Sequence, residues 1–182
     1  MTRDEAFELV RGRLGDTHLF WHCLACEACM QALAKRLDED LELFGLAGLV
    51  HDLDLDVCEN ELDKHALLGA EILRERNAPQ EVVQAVLGHN DKAERTTPIA
   101  KALWVVDPTT GLITASALVR PSKSTVDLRV KSIKKRMKDK RFAANLSRSQ
   151  ITACKEQLGL PLDEFLEICL DAMNKIRDQI GL

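Results

Sequence analysis

The chain has 182 residues, of which 46% are apolar and 30% charged, and its net charge is −4. This length can bury one substantial core and shows no break that suggests a second, so one domain covering residues 1–182 is expected. The charge argues against a general nucleic-acid binder, and no run approaches the roughly 18 apolar residues of a membrane span. The expected partner is therefore a small molecule, neither a membrane nor a nucleic acid, with self-association left open. The N-terminal Met1-Thr2-Arg3-Asp4-Glu5 has no apolar signal region, which gives the cytoplasm as the default compartment. Cys23, Cys26, Cys29, Cys58, Cys154 and Cys169 are then read as reduced thiols.

Thr2 with Glu5 three residues later is a capping-box signature, followed by a short amphipathic helix that Gly15 stops. A second helix starts at Asp16 or Thr17 and runs to about Leu37, with His22 on its first turns. Leu41 to Val50 forms a shorter, more apolar helix ending at His51-Asp52, and Asp54, Asp56 and Asn60 mark the loop after it. Asp63 is expected to cap a helix from Lys64 to about Arg76, with His65 in its first turn. Pro79 opens another, which leads through Val82, Val83, Val86 and Leu87 to His89. Thr97-Pro98 starts a run to Asp107, where Pro108 is expected to kink or break the helix. The apolar pattern resumes from Gly111 to Val119, and Arg120-Pro121-Ser122-Lys123 is a basic turn. Ser124 to Lys140 reads as a basic amphipathic segment, the wet face of a packed helix. A capped segment from Ser147 to Leu158 stops at Gly159, and Pro161 begins the last helix, through Ile176. With no strand pattern and no repeat, the class is all-α.

The chemistry centres on Gly45 to Asp56, where an apolar run delivers an adjacent His and Asp. A buried imidazole and carboxylate are costly unless hydrogen-bonded or bound to a metal. His22, His65, His89 and Asp107 lie on other core-forming segments, and with His51 and Asp52 they make six candidate ligands for one divalent ion or two. In a two-ion site Asp52 is the natural bridge. Cys23, Cys26 and Cys29 have spacing reminiscent of an iron–sulfur site, but on one helix they spread over successive turns and read better as small core residues. His18, one turn before His22, is read as a residue at the entrance to the site or just behind its ligands, and as a candidate to touch substrate.

Trp21-His22-Cys23-Leu24-Ala25, Leu49-Val50-His51-Asp52, Lys64-His65-Ala66-Leu67-Leu68-Gly69-Ala70, Leu87-Gly88-His89-Asn90 and Val105-Val106-Asp107 together resemble the HD-domain superfamily. The resemblance covers roughly residues 17–124 and, with Gly111 to Lys140, looks like a small bacterial group of predicted HD hydrolases. It implies a helical bundle that holds the metal, with a C-terminal helical extension over about 125–182. It further implies His22, His51, Asp52 and Asp107 at one ion and Asp52, His65 and His89 at a second, with iron, manganese, cobalt, nickel or zinc as the metal. Asp52 and His51 would carry catalysis.

The implied activity is a metal-dependent phosphohydrolase that uses a metal-activated water on a nucleotide, a dinucleoside polyphosphate or another small phosphate ester or anhydride. The alternative is a mixed-valence di-iron oxygenase cleaving a C–C or C–P bond, which uses the same ligands. Many dinuclear members continue the His-Asp pair as Ile-Gly-Lys, whereas this chain has Leu53-Asp54-Leu55. A phosphate clamp must then come from Lys64, Arg120 or Lys123. The Glu-Asp pair of some mononuclear members is incomplete, because Leu55 stands before Asp56.

Overall fold

The computed structural model describes residues 1–58 and 63–182. The first helix, α1 (Arg3–Leu14), is closed by the capping box: Glu5 N–H donates to the Thr2 hydroxyl, and Thr2 N–H donates to the Glu5 carboxylate at 2.7 Å. Ala6, Val10 and Leu14, four residues apart, form its buried face. Then come α2 (His18–Leu37), α3 (Leu41–Val50), the single turn α4 (Leu55–Cys58), α5 (Leu67–Glu75), α6 (Gln80–His89) and α7 (Pro98–Leu118). The C-terminal part adds α8 (Val130–Met137), α9 (Arg148–Thr152), α10 (Cys154–Leu158), α11 (Leu162–Lys175) and a closing 3₁₀ turn, Arg177–Gln179. No strand occurs among the described residues, so the fold is all-α.

The two long helices α2 and α7 form the spine, with α3, α11 and α1 packed on α2 and with α6, α9 and α10 on α7. α3 is apolar on all sides and buried from Phe44 onward, as expected of a helix enclosed by neighbours. Its first turn is capped by Asp40, which accepts from Glu42 N–H at 2.8 Å and Leu43 N–H at 2.9 Å. The contact between α3 and α2 is close enough to require Gly48, since a Cβ there would stand 2.7 Å from the Cys26 carbonyl carbon and oxygen. At the next residue of α2, buried Glu27 accepts two hydrogen bonds from Arg3, at 2.7 and 3.0 Å, which ties α1 to the spine.

Three local expectations change. Helix α7 passes through Pro108 without a break. The missing N–H leaves the Trp104 carbonyl free, and the Gln150 side-chain amide donates to it at 3.5 Å. Thr109 and Thr110 donate their hydroxyls to the carbonyls of Val105 and Asp107, at 2.6 and 2.9 Å. Asp107 is thus displayed from an unbroken helix. Asp63 does not cap α5, which begins at Leu67 after a left-handed Ala66 (φ 69°); its exposed N–H groups go instead to Asp54. Asn60 lies outside the described residues. Finally, the segment from Ser124 to Lys140 is helical only over Val130–Met137, in a helix with no side-chain cap and no acidic residue in its first turn.

Substituting Gly48→Ala forces α2 and α3 apart where backbone meets backbone. The expected cost is about 1–3 kcal/mol, seen as a melting temperature lowered by several degrees in a thermal unfolding scan. An unchanged melting temperature would mean that the contact is looser than it stands here.

Candidate metal centre

Four helices and the turn before α5 deliver the six residues to one place. His22 comes from the second turn of α2, His51-Asp52 from the end of α3, His89 from the end of α6, and Asp107 from the middle of α7. His65 lies just before α5. His51 is fully buried, and the side chains of the other five are 3–31% exposed.

Asp52 stands at the centre, with its two oxygens facing opposite groups. Oδ2 lies 3.4 Å from His51 Nε2 and 3.6 Å from His22 Nε2. Oδ1 lies 3.3 Å from His65 Nε2 and 3.5 Å from His89 Nε2. Within each group the imidazole nitrogens approach closely, His22 to His51 at 3.2 Å and His65 to His89 at 3.1 Å. Asp107 joins the first group, its Oδ1 3.2 Å from His22 Nε2 and 4.0 Å from His51 Nε2.

The outer nitrogens fix how the rings are protonated. His51 Nδ1 meets the Gly48 carbonyl at 2.9 Å, and His89 Nδ1 meets the Val86 carbonyl. A carbonyl can only accept, so each Nδ1 carries the proton and each Nε2 presents a lone pair inward. Both carbonyls belong to last helical turns, whose acceptors lack a helical donor, which explains why these histidines sit at helix ends. His22 Nδ1 lies 3.1 Å from the Thr110 hydroxyl, whose own hydrogen goes to the Asp107 carbonyl. His65 Nδ1 donates to Asp54 Oδ1 at 2.8 Å.

Four inward lone pairs and two carboxylates at such distances repel one another unless positive charge lies among them. Donors bound to one ion at about 2.1 Å stand about 3.0–3.4 Å apart at octahedral or tetrahedral angles, close to most of the separations within each group. The residues therefore fit divalent ions. The same electrostatics shows in the acid–base behaviour of the bare site. Burial pushes the Asp52 carboxyl up, but His51, His65 and His89 outweigh it and hold Asp52 well below the usual carboxylate range. Burial alone would lower the histidines; Asp52 instead takes His51 up to about 9, and Asp52 with Asp54 takes His65 to about 10.

Asp54 was not foreseen as part of the site. It is fully buried and also accepts from Ala66 N–H at 2.8 Å and Gly69 N–H at 2.9 Å. Gly69 is needed there, because a Cβ would press to 3.3 Å from the Asp54 carboxyl. The signal for Asp54 was its position between Leu53 and Leu55 in an apolar frame, where a carboxylate must find partners. Asp56 turns away to accept from Arg13 at 3.0 Å. Leu53 to Asp56 thus adds no free negative charge to the site. Cys26 is buried beside the first group, 3.8 Å from His22 Nε2 and 3.3 Å from the Thr110 hydroxyl, while Cys23 and Cys29 are free buried thiols in the core.

A cleft of about 550 Å³ opens on the first group, at His22, Asp52 and Asp107. His18 stands at its rim, and its walls are apolar, including Leu19, Trp21, Leu118 and Leu146. No Lys or Arg lines it among the described residues. Lys64 is exposed beside His65, and Lys123 is exposed in the turn after α7; Arg120, in the same turn, is half-buried.

A family model of the HD domain matches residues 19–143. The chain belongs to the HD-domain family. Among curated proteins it resembles Ribonuclease Y of Cutibacterium acnes, 31% identical over 74 residues, covering 40% of this chain and 14% of that protein. Ribonuclease Y of Mycoplasma mycoides is 28% identical over 86 residues, covering 47% and 20%. The chain thus spans at most a fifth of the length of these two relatives. The HD domain of the L. monocytogenes phosphodiesterase PgpH has the same fold, with a TM-score of 0.58 over 97% of this chain and 99% of that one at 13% identity.

Replacing Asp54→Asn removes the charge that orients His65 without opening a cavity. Affinity for an ion held by Asp52, His65 and His89 should fall about 10–100-fold, while that of the His22–His51–Asp107 group is kept. Calorimetric titration with Mn²⁺ reads both, and equal weakening at the two groups would contradict this role.

Proposed function

We propose that the protein is a metal-dependent phosphohydrolase acting on a nucleotide or other phosphate ester or anhydride at a two-ion site. The observation that carries this reading is the division of Asp52, with one oxygen toward His22, His51 and Asp107 and the other toward His65 and His89. Two divalent ions held by these donors would supply a nucleophile at neutral pH and neutralise the charge on a phosphoryl group.

The chain's own residues supply position and exclusion of water. The Gly48 and Val86 carbonyls lock His51 and His89, and Asp54 locks His65, so the inner donors need little rearrangement as charge develops. Asp107 and His22 are the donors most open to the cleft, which favours substrate binding on their side. The apolar walls exclude bulk water from the reacting bond and strengthen electrostatic attraction inside. With no cation on those walls, the negative charge of a phosphoryl group must be met by the ions, while Lys64, Arg120 and Lys123 act from further out. The names of the relatives, a ribonuclease and a phosphodiesterase, support phosphorus–oxygen chemistry for this fold.

The test is phosphate or nucleotide release across a panel of phosphate esters and anhydrides by protein stripped of metal and reloaded with manganese, iron or cobalt. Asp52→Asn should lower kcat by more than about 100-fold, beyond the 10–100-fold usual for an outer-shell change. Oxygen uptake that depends on substrate, without phosphate release, would instead establish the oxygenase alternative.

A further inference from the structure

The net charge of −4 conceals a division. Residues 129–141 hold eight of the 25 Lys and Arg and one of the 29 Asp and Glu, so this stretch carries +7 and the rest of the chain −11. Lys131, Lys135 and Lys138 recur at helical spacing on one exposed face and span about 10 Å along the axis. This placement works against the helix. Lys131 stands in the first turn of α8, where the macrodipole is already positive, and the pairs Lys131/Lys135 and Lys134/Lys138 set like charges four residues apart. The opposing acids come from α11: Lys134 pairs with Asp163, and Glu167 lines the same groove. Arg136 covers the Phe142 ring, and Arg141 lies 3.8 Å from Asp139. Lys131, Lys135 and Lys138 make no ion pair among the described residues.

Three depressions lie next to one another. A groove along α8 shares Lys138 with a second depression, which also carries Lys140 and Arg148. The second shares Leu146 with the cleft at His22, Asp52 and Asp107. The lining residues thus trace a track from the cations of α8 toward the metal centre, where the cleft has no Lys or Arg among the described residues and includes Trp21, its indole N–H donating to Asp16 at 2.8 Å.

We infer that this track binds a single-stranded nucleic acid, with backbone phosphates along Lys131, Lys135 and Lys138 and a base in the apolar cleft beside Trp21. A phosphodiester is thereby delivered to Asp52 and its histidines. Cations that follow a backbone, joined to an aromatic surface for a base, are what strand binding without sequence preference requires. An anionic membrane would also attract α8, but it would leave unexplained why the track is concave and runs into the site. The inference rests on the centre being a phosphohydrolase site.

The experiment is fluorescence anisotropy of the full chain with a labelled strand of about 12 nucleotides, as RNA and as DNA, over a salt series, alongside sedimentation with phosphatidylglycerol vesicles. The variant Lys131→Gln/Lys135→Gln/Lys138→Gln changes exposed positions only, and its melting temperature should match the parent. Its salt slope should be shallower by about 2 and its affinity on the order of tenfold lower, with hydrolysis of p-nitrophenyl phosphate unchanged. Preference between RNA and DNA identifies the sugar of the strand. Equal strand binding by parent and variant, or binding to vesicles but to neither strand, overturns the inference. Hydrolysis of small esters without strand binding overturns the track alone, whereas strand binding without hydrolysis of any ester keeps the track and overturns the phosphohydrolase reading.

Discussion

One carboxylate with two histidine pairs on its opposite oxygens constrains the rest of the fold. To bring His22, His51, His65 and His89 around Asp52, α2 and α3 must pack at backbone contact and α6 must end at the same level as α3. Gly48 serves both needs: its missing side chain permits the α2–α3 approach, and its carbonyl holds the His51 ring. The end of a helix is well suited to carry such a histidine, because the last turn supplies an unused acceptor for the outer nitrogen. The concentration of negative and lone-pair charge costs stability in the bare protein and becomes favourable when cations are bound.

The long helices were legible because each carries a local signal. Thr2 with Glu5 capped α1 as expected, and α3 runs from Leu41 to Val50 as its apolar composition indicates. The departures came where distant residues settle a local question. Pro108 should have opened α7, yet Gln150, 46 residues from Trp104 along the chain, takes up the Trp104 carbonyl that the proline leaves free. Asp63 had the residue type and position of a cap, but Asp54 reaches the same region across 12 and 15 residues and binds the N–H groups of Ala66 and Gly69.

The donor set was legible for a related reason: imidazole and carboxylate on otherwise apolar segments are costly without partners, and the structure gathers all six that stood in such positions. The residues alone do not say how the set is divided; the two groups with Asp52 between them were what the resemblance implied. That Asp52 turns one oxygen to each pair depends on helix packing, and the outer contacts of the rings depend on backbone carbonyls that have no sequence signature. Net charge was similarly uninformative, since a total of −4 says nothing about a segment carrying +7.

The proposed chemistry depends on Asp52 being shared between two ions. Crystals of manganese-loaded protein, measured for anomalous scattering, decide this directly. Two peaks about 3.5–4 Å apart, one against His22, His51 and Asp107 and the other against His65 and His89, with an Asp52 oxygen on each, are predicted. A single peak at full occupancy with the His65–His89 pair left unligated would contradict it.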